Sequence, residues 1–260
     1  MYGWRARIAL ITAHSNAVIE PEVMRLCPDG VSVHTARVRL GGISVEGSNI
    51  PDAALREAVL SLCDINAKAL AWTCTAANVG AGADGDLKQA RFINSISGIP
   101  TIPASAAIIE ALAALGARKI VLATQYQADL NESSAVFWKA SGIEVIKISS
   151  IDLGGARKPM EPLSSKPVSH VGLQHPTFAY NLARYAYDKN ADAVVVCGAG
   201  LRTIEAAAPF EKEFGVPFLS STIATFWACL QAAGIRESVP GYGRLLEEQP
   251  ALQWVRIPKV

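Results

Sequence analysis

The amino-acid sequence predicts an α/β protein of two pseudo-symmetric lobes, each a mostly parallel sheet flanked by helices, with an active-site cleft between them. Apolar strand-like runs alternate with helical stretches along the 260 residues, a pattern typical of parallel sheets covered by helices. Half of the residues are hydrophobic and 18% are charged, which is enough apolar material for a substantial core. An internal repeat of the same pattern divides the chain into two similar halves.

The first half begins with a buried strand, and helical periodicity separates most of the later strands. We predict strands at residues 7–12, 31–38, 67–73 and 98–101, and helices at 18–26, 52–62, 86–97 and 105–115. Gly116 supports the last of these helix ends, because glycine readily takes the left-handed conformation that ends a helix. The four strands supply one complete sheet.

The second half follows the same order of elements. We predict strands at 119–124, 143–149, 192–197 and 216–219, and helices at 130–141, 176–189, 203–214 and 222–233. Residues 154–174 fit neither period, and we predict a long loop there. Long loops in compact enzymes are often functional.

Short sequence matches relate the two halves. Residues 30–33 match 142–145, and residues 8–10 match 120–122, both at an offset of 112 residues. Later matches keep the order of elements while the offset drifts, as loop insertions would produce. We therefore predict a first lobe at 1–103, a second lobe at 104–219, and a C-terminal segment, 220–260, that packs back on the first lobe.

Composition and charge exclude several classes of protein. The chain has 24 Lys and Arg against 23 Asp and Glu, so its net charge of +1 gives no basic surface for nucleic acid or an anionic membrane. Its apolar runs are too short to span a bilayer, and residues 1–5 lead directly into a strand rather than a signal peptide. Five widely spaced cysteines suit neither a disulfide framework nor a zinc site. We expect a cytoplasmic enzyme with reduced cysteines.

Two cysteines occupy equivalent points of the repeat. Cys74 follows the third strand of the first lobe, and Cys197 follows the third strand of the second. Ligands of open α/β sheets bind at the carboxyl ends of strands, so we expect both thiols to flank one cleft, where backbone N–H groups can lower a thiol pKa. The alternative for each is a small buried hydrophobic residue. We expect Cys27, Cys63 and Cys229 to be inert packing residues.

Short motifs spread over essentially the whole chain carry a family resemblance. They are Ser15-Asn16 with residues 20–22, the strand 31–37, Cys74-Thr75, Thr124-Gln125-Tyr126, Cys197 and Leu201-Arg202-Thr203. Together they resemble the aspartate/glutamate racemase superfamily, and most closely its maleate cis-trans isomerase and arylmalonate decarboxylase branch.

The resemblance implies a two-cysteine site that works without a metal or organic cofactor, with Cys74 and Cys197 as the catalytic pair. In the maleate isomerases, the first cysteine attacks the double bond as a thiolate and the second donates and accepts a proton. Arylmalonate decarboxylases carry glycine in the first place, so Cys74 argues against decarboxylation. Such thiols can also racemise an α-substituted acid, and a non-catalytic acid-binding protein is a third alternative. We expect isomerisation of maleate or a related acid.

The resemblance also implies which groups hold the substrate, a small mono- or dicarboxylic acid. On the matching positions these are Asn16, Thr75, Tyr126 and the backbone N–H groups starting at Gly198, and His14 lies at the mouth of the predicted cleft. A few charge-assisted hydrogen bonds of this kind bind a carboxylate without an arginine cluster. In the alternative interpretation, Asn16 caps the following helix, Tyr126 caps a strand end and His14 is a solvated strand-end residue.

The remaining signals are weaker. Residues 80–85 are rich in glycine but lack the spacing of a nucleotide-binding loop, and we expect a flexible loop over the cleft. Only His170 and His175 are close together among the four histidines, so we expect no metal site. Ala76 stands where the family often has a serine hydroxyl. We also expect a homo-oligomer, either a dimer or a tetramer.

Overall fold

The computed structural model describes residues 2–40, 42, 44–151, 153 and 171–257. The loop predicted at 154–174 therefore falls largely outside the described residues, and so does His170. The elements of the first sheet and its helices are β1 (Ala6–Ala13), α1 (Ile19–Leu26), β2 (Val31–Val38), α2 (Val45–Ser48), α3 (Asp52–Cys63), β3 (Ala69–Trp72), α4 (Thr75–Gly80), α5 (Gly85–Ser97) and β4 (Thr101–Pro103).

The second sheet and its helices follow along the chain. They are α6 (Ala104–Ala114), β5 (Lys119–Thr124), α7 (Ala128–Ala140), β6 (Glu144–Ser150), α8 (Pro176–Ala186), β7 (Ala193–Val196), α9 (Ile204–Phe214), β8 (Phe218–Ser220), α10 (Ser221–Ala232) and α11 (Arg244–Glu248).

The two sheets have the same topology. Each has four parallel strands, in the order β2-β1-β3-β4 in the first sheet and β6-β5-β7-β8 in the second. The register repeats as well, since Ile8 pairs with Val33 in one sheet and Ile120 pairs with Val145 in the other. Both pairs are related by the offset of 112 residues found in the sequence. The prediction of two α/β lobes with parallel sheets and flanking helices is confirmed.

The central strands lie in the core because helices cover both faces of each sheet. All four residues of β3 and all four of β7 are buried. Their sequences, Ala-Leu-Ala-Trp and Ala-Val-Val-Val, are the continuous apolar runs expected of buried parallel strands. Each large side chain buried in this way contributes roughly 1.5–3 kcal/mol. The carboxyl ends of β3 and β7 are therefore held rigidly.

The last described residues are fastened to α5 and α6 by buried carboxylates. Arg256 forms an ion pair with the fully buried Asp86 at 2.7 Å. The backbone N–H groups of Arg256 and Ile257 donate to Glu110 Oε1 at 2.6 and 3.0 Å. Partners of this kind are what a buried carboxylate requires. The lobe boundaries at 103 and 219 stay a prediction.

Local structure after Cys74 differs from the expectation. Residues 75–80 form α4, a helix too short for its apolar period to be recognised. The glycine-rich residues 80–85, where we expect a flexible loop, contain the end of α4 at Gly80 and the start of α5 at Gly85, so the link between them is short. Gly85 N donates to Gly82 O at 2.9 Å across this link. Gly80 also lies against α2, where an added Cβ would be 2.7 Å from Ser48 Oγ. Among the described residues, no helix is long and apolar enough to cross a membrane.

Candidate active site

Cys74 and Cys197 leave the two sheets at equivalent places. Cys74 stands two residues after the end of β3, and Cys197 directly follows β7. Thr73 N donates to Ile11 O, and Cys197 N donates to Ala123 O, each at 3.0 Å. The neighbouring strands β1 and β5 thus fix both exits. Both cysteines lie at the carboxyl ends of central strands, as predicted.

Cys74 is the N-cap residue of α4 and keeps partial contact with solvent. Desolvation raises the pKa of its thiol to about 11, while hydrogen bonds from the backbone N–H groups of Ala77 and Ala76 act to lower the pKa. The N–H groups at a helix start favour an anion. The beginning of α4 therefore stabilises the Cys74 thiolate against the effect of burial.

An amide network supports α4. Asn78 Nδ2 and Trp72 Nε1 both donate to Gln89 Oε1, at 2.8 and 2.9 Å. Asn78 Oδ1 accepts from Ser105 N at 3.2 Å. These bonds tie the short helix to β3, α5 and α6, so the N–H groups that face Cys74 have a fixed position.

Cys197 has a different environment. Its side chain is fully buried, and desolvation raises the pKa of its thiol to about 12. The next helix, α9, begins only at Ile204, and its first N–H groups bind a carboxylate instead of the thiol. Thr203 N and Ile204 N donate to Glu22 Oε1 at 2.5 and 3.1 Å, joining α1 to α9. Burial therefore favours the neutral thiol at Cys197.

Tyr126 lies near both thiols. Desolvation raises its pKa well above the ordinary value, and negative charge on Cys197 or Cys74 acts to raise it further. Such effects weaken with distance, so the buried phenol is close to each cysteine. The Thr75 hydroxyl is near enough to lower the Tyr126 pKa, but the Tyr126 hydroxyl forms no well-aligned hydrogen bond with any described residue. A buried hydroxyl without a partner is rare and is open to a ligand.

Ser221, the first residue of α10, joins the turns that follow the two cysteines. Its hydroxyl lies 2.7 Å from Thr75 Oγ1 and accepts a hydrogen bond from Gly198 N at 2.9 Å. Thr75, Gly198 and Ser221 are all buried. Thr75 and Gly198, which we expect to bind substrate, are thus already paired with Ser221.

Sequence reasoning missed Ser221 as a site residue. Residues 220–222 are Ser-Ser-Thr before a helical run, which indicates only a helix start. Its two partners lie 146 and 23 residues away, so no local spacing could reveal the contact.

Gln125 packs against the turn after Cys197. Gly198 has a φ of +111°, which glycine adopts readily, and a Cβ added there would be 1.9 Å from Gln125 Nε2. The Gln125 side chain is buried, and its Oε1 accepts no hydrogen bond from the described residues. Both the conformation and the close approach therefore require glycine at this position.

Asn16 performs the capping role named as its alternative. Its Oδ1 accepts from the backbone N–H groups of residues 18 and 19 at 2.9 and 3.1 Å. Its Nδ2 donates to Thr12 Oγ1 at 3.2 Å and to Ala199 O at 3.0 Å. The second bond brings Asn16 beside the turn after Cys197. The amide hydrogens of Asn16 are thus both engaged.

His14 lies at the end of β1, next to the chain that leaves β2. Its backbone N donates to Val38 O at 2.7 Å, and its Nδ1 accepts from Leu40 N at 3.2 Å. Arg37 donates to His14 O at 3.1 Å. These bonds fix the residue at the exits of two strands, and its role in substrate binding stays a prediction.

The other cysteines have packing positions. Cys63 ends α3 and its thiol donates to Val59 O at 3.4 Å, and Cys229 is fully buried within α10. Burial raises the pKa of Cys27 to about 11. Outside this set, His175 Nδ1 caps α8 by accepting from Thr177 N at 3.3 Å. Within the part of the chain that the structure describes, no three His, Cys, Asp or Glu side chains form a group able to hold a metal ion.

Comparisons with known proteins extend over nearly the whole chain. The arylmalonate decarboxylase family matches residues 8–246. The chain is 25% identical over 254 residues to the maleate isomerase of Geobacillus stearothermophilus, an alignment that covers 92% of this chain and 96% of that protein. It is also 25% identical over 242 residues to the arylmalonate decarboxylase of Bordetella bronchiseptica, covering 93% of this chain and 96% of that one.

Solved structures lead to the same assignment. The maleate cis-trans isomerase of Nocardia farcinica bound to Tris matches with a TM-score of 0.81 and 25% sequence identity, covering 93% of this chain and 98% of that chain. The matched proteins are enzymes, and they share the two-lobed architecture seen here. The chain belongs to the arylmalonate decarboxylase family.

Proposed function

We propose that this enzyme isomerises a small cis-unsaturated dicarboxylic acid, maleate to fumarate, through an adduct with Cys74 and without a cofactor. One observation carries the proposal: Cys74 and Cys197 follow equivalent strand ends, and Ser221 forms hydrogen bonds to the residue directly after each of them. Two thiols beside one small site supply both a nucleophile and a proton donor. The names of the relatives, maleate isomerase among them, support the same reaction.

The proposed reaction begins with the Cys74 thiolate, which attacks one alkene carbon and forms a C–S bond. The π electron pair moves to the other alkene carbon, and the Cys197 thiol transfers its proton there. The former double bond is now single and rotates. The Cys197 thiolate then removes a proton from the same carbon, the electron pair rebuilds the trans double bond, and the C–S bond breaks. Both cysteines return to their starting protonation states, so atoms and electrons balance.

The different environments of the thiols support these separate roles. The N–H groups of residues 76 and 77 stabilise the Cys74 thiolate, which suits a nucleophile. Burial raises the pKa of both thiols, to about 11 for Cys74 and about 12 for Cys197, but backbone hydrogen bonds act to lower the pKa at Cys74. Rotation within the adduct needs no further chemistry. This contrast supports Cys74 as the nucleophile and Cys197 as the acid.

We further propose that the substrate carboxylates are bound by hydroxyl and amide donors. The unpartnered Tyr126 hydroxyl is the principal donor, with Thr75 beside it. Asn16 Nδ2 donates to Thr12 Oγ1 and Ala199 O, so Asn16 contributes only if one of these bonds is exchanged for a substrate oxygen. Gly198 N donates to Ser221 Oγ and contributes only if that bond is exchanged in the same way. His14 is proposed as a contact at the cleft entrance.

Proton NMR with maleate tests this function directly. We expect the maleate signal to disappear and the fumarate signal to grow, without any added metal or cofactor. A second experiment, with a chiral α-substituted acid in deuterium oxide, tests the principal alternative. A racemase would incorporate deuterium at the α-carbon of that acid. Unchanged maleate with deuterium incorporation into a chiral acid would overturn isomerisation in favour of racemisation.

A further inference from the structure

The hydroxyl of Ser221 touches both cysteine turns, and its hydrogen-bonding capacity decides how it joins them. A serine hydroxyl has one hydrogen to donate and two lone pairs to accept with. The Gly198 N–H is only a donor, so it occupies one lone pair of Ser221 Oγ at 2.9 Å. The remaining partner is Thr75 Oγ1 at 2.7 Å, and either hydroxyl can be the donor in that pair.

The need of buried donors for acceptors favours one direction for the hydrogen bond between Ser221 and Thr75. If Ser221 donates to Thr75, a series of hydrogen bonds runs from Gly198 N–H to Ser221 Oγ and from Ser221 to Thr75 Oγ1. The hydrogens of Gly198 N and of the Ser221 hydroxyl are then both bonded. The Thr75 hydrogen then remains free to point toward Tyr126 or a substrate oxygen. In the opposite direction the Ser221 hydrogen would lack an acceptor among the described residues, whereas the Thr75 hydrogen has the Tyr126 hydroxyl oxygen nearby as an acceptor.

We propose that Ser221 is a positioning residue that orients the Thr75 hydroxyl hydrogen into the site and fixes the turn after Cys197 relative to the turn after Cys74. Hydrogen bonds in such a chain also polarise one another, which strengthens the terminal donor. This inference rests on the proposed function, because the Thr75 hydroxyl that Ser221 orients is one of the donors proposed to bind the substrate carboxylate.

Replacement of Ser221 by alanine tests the role against a matched control. Ser221→Ala leaves Gly198 N and Thr75 without their shared partner, and we expect a roughly 10- to 100-fold lower kcat/KM for maleate. The control is Ser220→Ala. Ser220 is equally buried, but its Oγ bonds Ile223 N at 3.2 Å and Thr203 at 2.9 Å. We expect Ser220→Ala to weaken the α10 cap and lower Tm without changing kcat/KM.

A double-mutant comparison separates positioning from general loosening of the fold. If Ser221 acts through Thr75, then Thr75→Val combined with Ser221→Ala should lose little more activity than Thr75→Val alone. Fully additive losses would overturn the proposal. Wild-type kinetics in Ser221→Ala would overturn it as well.

Amide hydrogen exchange gives a readout that does not depend on the reaction. We expect Gly198 N–H to exchange faster in Ser221→Ala than in the wild type, and unchanged in Ser220→Ala. If the wild type does not convert maleate but this exchange pattern holds, the proposed function fails while the positioning role stands. If exchange at Gly198 is the same in all three proteins, the positioning role itself is refuted.

Discussion

The turns after Cys74 and Cys197 stand at equivalent strand ends, but they use the start of the next helix in opposite ways. After Cys74, α4 begins at once, and the N–H groups of residues 76 and 77 act on the thiol. After Cys197, α9 begins only at Ile204, and its first N–H groups bind the carboxylate of Glu22. One helix start stabilises a thiolate, and the other is occupied by a side chain of α1.

This difference shows how a duplicated unit can produce two unlike thiols. The parallel sheets and their order are the same, so the asymmetry arises from the spacing between strand and helix and from a single carboxylate. In the proposed mechanism these two thiols are the nucleophile and the proton donor on either side of one substrate. The predictions below address this contrast.

The largest expected effect comes from replacing each cysteine by serine. Cys74→Ser should lose at least about a thousandfold in turnover, because a hydroxyl is a much poorer nucleophile than a thiolate. Cys197→Ser should lose about 10²- to 10⁴-fold, the usual contribution of a general acid or base. Intact-protein mass spectrometry separates their roles: only Cys197→Ser should accumulate an adduct heavier by one maleic acid.

Cys63→Ser provides the control for these variants. Its hydroxyl can keep the hydrogen bond to Val59 O at the end of α3, so activity should be unchanged. An adduct in Cys74→Ser rather than in Cys197→Ser would reverse the assigned roles. Equal activity in all three variants would remove the two-thiol mechanism.

Alkylation of the free enzyme with iodoacetamide should show the second largest effect. The pKa of Cys74 is raised to about 11, so its thiolate fraction should increase about tenfold for each pH unit between 7 and 10. The buried Cys197, with a pKa raised to about 12, should react at least about tenfold more slowly than Cys74. Peptide mass spectrometry at several pH values measures both rates. A Cys74 rate that is flat across this range would contradict the raised pKa.

Replacement of Tyr126, which lies beside both turns, should separate activity from stability. Tyr126→Phe removes a donor to substrate, and we expect kcat/KM to fall about 10- to 100-fold. The same change removes a buried hydroxyl that has no hydrogen-bond partner among the described residues, so the free energy of unfolding should stay level or rise by about 1 kcal/mol. Thr225→Val is the matched control, because the Thr225 hydroxyl, within α10, is also buried and bonds to none of the residues that the structure describes. It should show the stability effect without the kinetic one.

The parts of the site that could be predicted from sequence are those that depend on local pattern. Period and repeat gave the strands, and the strand ends gave Cys74 and Cys197. The short link between α4 and α5 was not predicted where we expect a flexible loop at 80–85, because α4 is too short for its period to be recognised. Contacts such as Ser221 with Thr75, or Glu22 with Thr203, span 146 and 181 residues and depend on how the lobes pack. Local sequence spacing cannot predict contacts between residues so far apart in the chain.

The last expected effect concerns stability rather than activity, and it involves Glu22, which occupies the start of α9. Desolvation raises its pKa from 4.5 to about 7, although the N–H groups of Ile204 and Thr203 act to lower it. Between pH 4.5 and about pH 7, Glu22 is protonated in the folded protein and ionised in the unfolded chain. The free energy of unfolding therefore decreases as pH rises through this range. The loss approaches about 3 kcal/mol once the pH passes 7.

Glu22→Gln keeps an acceptor for Thr203 N and Ile204 N but cannot titrate. Urea unfolding at pH 5 and pH 8 should therefore show a smaller decrease in the free energy of unfolding for Glu22→Gln than for the wild type. Cys197 alkylation should stay slow in this variant, because the amide still occupies the start of α9. Parallel pH profiles for the two proteins would mean that Glu22 is ionised throughout. In that case α9 would stabilise an anion as α4 does, and the two turns would differ only in which anion they hold.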